Sequence, residues 1–154
     1  MVLLAVWAVS LALANFQSVI GPRRFEPDPN LALATYAIQQ TDKEDLLVDL
    51  FLEDWLAYVR YLGERNVLEL PHLAAYVGRD QAIQALYSTI QSNIQDGHRV
   101  FIVDWSGRTD DEWIWPLGIV GLQKSDFDGL EKCLAWTSEG KTIWEVVGTS
   151  GQHQ

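Results

Sequence analysis

Apolar side chains recur at three- and four-residue spacing through Leu47, Leu50, Phe51, Trp55, Tyr58, Val59 and Leu62, the stripe of an amphipathic helix. Thr41 and Glu44 ahead of the stripe have capping-box spacing, and Gly63 can close it. A second stripe, Ile83, Leu86, Tyr87, Ile90 and Ile94, predicts a helix from about residue 79 to 95, with Gly97 as its stop. Asp28-Pro29 reads as a cap followed by a first-turn proline and predicts a shorter helix to about Gln40. Residues 66–78 are divided by Pro71, and each half reads as a short strand or an irregular turn.

Beyond His98 the period shortens. Residues 99–105 (RVFIVDW) form a nearly unbroken β-branched and aromatic run, as a central strand requires. Residues 112–122, 130–136 and 142–147 follow as further strands, with a tight-turn signal at Asp128-Gly129. Four strands joined by short turns predict an antiparallel meander with two long amphipathic helices on it, an α+β fold. The order helix, irregular hairpin, helix, meander resembles the cone-shaped layout of nuclear-transport-factor-like, polyketide-cyclase-like or cystatin-like proteins. Tyr76-Val77-Gly78-Arg79, ahead of the second helix, is its local echo. The resemblance spans about residues 42–148 and rests on element order, so it implies a fold and no activity.

Residues 2–20 (VLLAVWAVSLALANFQSVI) contain no charged residue. At about 1.5 Å per residue they can cross a hydrocarbon core of about 30 Å. Three readings stay open. A membrane anchor, an N-terminal apolar helix, fits the length and the basic pair Arg23-Arg24 that follows, which would hold the domain on the cytoplasmic or stromal side. A secretory signal cleaved near Ala14 has the small-residue exit Ala12-Leu13-Ala14 but no basic residue before its apolar run. A core helix of the fold would need a polar stripe that residues 2–14 do not have. Residues 1–21 are therefore read as anchor-like, 22–30 as a proline-rich linker, 31–148 as one α+β domain and 149–154 as a polar tail.

Charge narrows the partners. Lys and Arg number 11 against 21 Asp and Glu, a net charge of −10, so nucleic acid is not expected as a partner. Cys133 is the only cysteine, which excludes an intramolecular disulfide and a paired-cysteine metal site; its apolar neighbours predict a buried thiol. No motif for a nucleotide, metal or other cofactor occurs, so none is expected.

Candidate chemistry is sparse. Asp104 interrupts an apolar strand, and burial of its face would raise its pKa and suit it to acid–base work; alternatively it ends the strand and caps the Ser106-Gly107 turn. His72 and His98 are the histidines that could join it, against readings as an exposed loop residue and a helix-end cap. Trp113, Trp115, Trp136 and Trp144 read as core or as a binding surface for a partner or a small apolar ligand. The expected function is a membrane-tethered, non-catalytic accessory domain, an assembly factor or small subunit of a membrane complex with a protein partner. A small cone-shaped isomerase, dehydratase or cyclase using Asp104 and a histidine on an apolar ligand is the alternative. A soluble or exported ligand carrier is the third.

Overall fold

The computed structural model describes residues 28–103, 114–138 and 140–150. The apolar stretch 2–20, Asp104 and Trp113 lie outside them. Among the described residues the chain is α+β: α1 (Pro29–Gln40), β1 (Leu46–Asp49), α2 (Asp54–Gly63), β2 (Asn66–Glu69), α3 (Leu70–Val77), α4 (Arg79–Gln95), β3 (Val100–Val103), β4 (Leu130–Ser138) and β5 (Lys141–Thr149). Short 3-10 turns at Gly118–Val120 and Lys124–Phe127 precede β4.

The five strands form one mixed sheet in the order β2-β1-β3-β5-β4. β1 pairs in parallel with β2 and β3, whereas β5 runs antiparallel to both β3 and β4. The expected four-stranded antiparallel meander is therefore corrected: only β3, β5 and β4 are antiparallel neighbours. Helices cover both faces rather than one, which removes the cone-shaped layout. Leu47, Phe101, Val103 and Ile143 face α1 and α2, around the fully buried Trp55. Leu46, Val48, Val100, Ile102 and Val146 face α3 and α4.

That two-sided cover explains the largest misreading. Every residue of β1 (LLVD) is buried, so the strand shows no alternation, and Leu47 falls by accident at helical spacing with the stripe that continues through Trp55 and Val59. The predicted helix over the whole of 41–62 is thus a strand followed by a shorter helix. Thr41 does not open it: its hydroxyl donates back to Ala37 O at 2.9 Å, and the Asp45 carboxylate accepts from Asp42 N at 2.8 Å. Pro71 does not split a hairpin either. It occupies the first turn of α3, where its missing N–H has no helical partner to lose.

Other expectations hold. Asp28 caps α1, its Oδ1 accepting from Asn30 N at 2.9 Å. α4 ends before Gly97, whose φ of 84° suits a glycine. Asp128-Gly129 is a turn, but it leads from the 3-10 turn Lys124–Phe127 into β4 rather than joining two strands, and a Cβ on Gly129 would lie 2.9 Å from the Tyr87 hydroxyl. The strand expected across 112–122 is absent from its described part. Leu117 and Leu122 there plug into the α3–α4 side of the core, which is why the run is apolar.

Candidate functional site

In open sheets with parallel strands, ligand crevices form beyond the carboxyl ends of the strands, where neighbouring connections leave in opposite directions. Here β2 lies to one side of β1 and β3 to the other, so that point falls between β1 and β3. Asp49 is the last residue of β1 and is buried. Its Oδ1 accepts from Phe51 N at 3.0 Å and from Glu53 N at 3.2 Å, closing the turn into α2. Leu52, with φ 53°, takes the left-handed conformation between those two amides, an uncommon one for a leucine. Burial pushes the Asp49 carboxyl up to about 6, and the charge of Glu53 adds to that while the amides oppose it.

The rim of this edge is ionic. Glu53 pairs with Lys141, which opens β5. Glu69 stands beside Asp49 in the register of β2 and takes Arg60 at 2.5 Å and His72 Nδ1 at 2.6 Å. The site therefore holds a buried carboxyl with its pKa raised to about 6, rimmed by the Glu53–Lys141 and Glu69–Arg60 ion pairs and the Glu69–His72 contact. Among the described residues no group of three or more His, Cys, Asp or Glu side chains is arranged to hold a metal ion.

The residues singled out in the sequence are scattered. His72 is exposed at this carboxyl edge. His98 follows α4 at the opposite edge, its amide donating to Asn93 O at 2.9 Å. The two histidines thus lie at opposite ends of the parallel strands and cannot share a proton relay. Trp136 packs on the α1–α2 side, its ring 4.9 Å from that of Phe101. Trp144 packs on the α3–α4 side, with the Lys132 ammonium 5.8 Å from its ring. They do not form one surface, because the hairpin register sets Trp136 against Ile143 rather than Trp144, and adjacent strand residues point to opposite faces. Cys133 is exposed on the edge strand β4, against its expected burial. Trp115 alone of the described tryptophans is largely exposed, at 66%.

Trp115 belongs instead to a surface that the sequence did not single out. Ile114 and Ile119 beside it are exposed, and so is Tyr76 at 90%, near the end of α3. α3 and the 3-10 turn at Gly118–Val120 pack together, with Ala74 and Leu117 buried beneath them. Residues 114–123 (IWPLGIVGLQ) contain no charged side chain, an uncharged run beside those at 2–20 and 29–40, and that was the available signal. A groove of about 470 Å³ runs along α4 past Ile83, Tyr87 and Gln91 to Asp126. Its chemistry is internal: Asp126 takes Arg79 at 2.5 Å and Gln123 N at 2.8 Å, and the Tyr87 hydroxyl donates to Asp126 O at 2.9 Å. These bonds fasten the 122–129 loop to α4.

No protein-family model, no curated protein and no solved structure matches this chain. Among the described residues, no helix is long and apolar enough to cross a membrane.

Proposed function

We propose that the chain is a membrane-tethered, non-catalytic accessory domain that docks a protein partner of a membrane complex through Tyr76, Ile114, Trp115 and Ile119. The supporting observation is the exposure of these four large side chains on adjoining elements. Exposed apolar surface with aromatic residues is what interface cores are made of, and Arg79 beside Gly121 gives it a charged margin. Tyr76 and Trp115 would be its anchors, since each buries a large rigid body while keeping a polar tip. The tether is the uncharged stretch 2–20.

Photocrosslinking tests this reading. Benzoylphenylalanine placed at residue 76 or 119 in cells should give one discrete adduct in the membrane fraction, the same at both positions. The same group at Gln91, on the flank of α4, should give none. Absence of an adduct at both 76 and 119 would remove the docking surface.

A specific observation supports a second reading, an enzyme working at the carboxyl edge. Asp49 is buried there with its pKa raised to about 6, the property sought in Asp104. In that case Asp49→Asn would abolish turnover while leaving the crosslinks at 76 and 119 unchanged.

A further inference from the structure

The outer face of α1 and α2 has a composition that folding alone does not require. α1 contains no charged residue over Pro29–Gln40, although Leu31, Ala32, Thr35, Tyr36 and Gln39 are all exposed. Tyr61 and Leu62 on α2, which packs against α1, are exposed at 77% and 63%. Charges stand at the margins: Asp54 in the first turn of α2, and the Lys43–Glu64 pair beyond its last turn. A water-facing helix ordinarily opposes a charged face to its buried one. Here both faces of α1 avoid charge.

The same layer receives the chain from its N-terminal side. Asp28 is fixed to it, its Oδ2 accepting from the Tyr58 hydroxyl of α2 at 2.9 Å. Only residues 21–27 separate Asp28 from the uncharged stretch 2–20. Seven residues span at most about 25 Å. Resting on the tethered reading above, we propose that the outer face of α1 and α2 lies against the surface of the bilayer that holds residues 2–20.

The chemistry of that surface is that of the headgroup boundary. Tyrosine and leucine suit it, one placing a hydroxyl among headgroups and the other reaching toward the acyl chains. A net charge of −10 opposes an anionic surface, so the fit is to zwitterionic lipid. The short tether holds the face at high effective concentration, so weak intrinsic affinity suffices to keep it down. The Tyr76–Trp115 surface lies on the other side of the sheet, which leaves it pointing away from the membrane and open to a partner.

The test uses the full chain carrying Cys133→Ser, reconstituted into phosphatidylcholine vesicles with brominated acyl chains. An environment-sensitive fluorophore is attached through Tyr61→Cys or, separately, through Tyr76→Cys; both positions are exposed, so the fold tolerates the label. Flotation first reports whether the chain is tethered. Among floating vesicles, bromine should quench the label at 61 about threefold more than the label at 76, the depth expected of an interfacial face. Leu62→Asp should reduce the quenching at 61 without releasing the protein from the vesicles. Equal quenching at 61 and 76 on floating vesicles would overturn this inference and leave the tether standing. Failure to float would overturn the tether itself, and this orientation with it. A crosslink between residues 61 of two copies would assign the face to a dimer and overturn it too.

Discussion

The two ends of β1 carry buried aspartates that are equally hidden from water and treated in opposite ways. Asp45 and Asp49 are each 3% exposed. Asp45, just before the strand, accepts from Arg99 Nη2 at 2.6 Å, from Arg99 N at 3.0 Å and from Asp42 N at 2.8 Å. A cation and two amides stitch the starts of β1 and β3 together. Asp49, at the other end, has two amides and no cation among the described residues. Compensation for lost hydration is thus nearly complete at the amino edge and partial at the carboxyl edge. The first aspartate is a clasp, and the second is held by amides alone, with its pKa raised by burial.

The largest effect should come from undoing the clasp. Asp45→Ala removes the acceptor of three hydrogen bonds, about 1 kcal/mol each, and should cost about 3 kcal/mol in chemical denaturation, although Arg99 Nη2 keeps Asp42 as a partner at 3.2 Å. A loss below about 1 kcal/mol would mean that water serves the amino edge as well as Asp45 does.

Asp49 should behave in the reverse sense. Its folded pKa of about 6 lies above the ordinary 3.8, so the folded chain binds the proton more tightly than the unfolded one. The stability this contributes is complete below about pH 4 and lost as pH rises through 6, a swing of about 3 kcal/mol. Asp49→Asn keeps an acceptor for the two amides and should flatten that window, leaving the variant at least as stable as the parent at pH 8. A parent whose stability rises between pH 4 and 7 while the Asn variant follows it would erase the contrast between the two edges.

The smallest effects sharpen the division between framework and surface. Tyr61→Ser and Tyr76→Ser should each change stability by no more than about 0.5 kcal/mol, since both side chains stand mostly in water. Losses of 2 kcal/mol or more, on the scale of a buried aromatic, would show that these residues hold the fold rather than serve a partner or a membrane.

The candidate site was poorly legible in the sequence for a reason visible at Asp49. Read within a helical stripe, Asp49 is an unremarked polar position. Read as the acid that ends a fully buried strand, it becomes the residue to examine. His72, His98 and the tryptophans drew notice by residue type, yet the structure sends the two histidines to opposite edges and Trp136 and Trp144 to opposite faces.

What the sequence determined by itself is local. α1 and α4 were readable with their boundaries, and the strands of the terminal hairpin to within two residues of theirs, because each depends on neighbours within a few positions. Asp28 caps Asn30, Gly97 closes the last turn of α4, and Leu130–Ser138 folds back on Lys141–Thr149. Only the tertiary structure decided that residues 46–49 are a strand and that the sheet is mixed. Leu46 finds its partners at Asn66 and Val100, and those pairings become favourable only when α2 and α4 bury the opposite faces of the sheet. Four consecutive buried residues have no period to read, so the fold had to supply the choice.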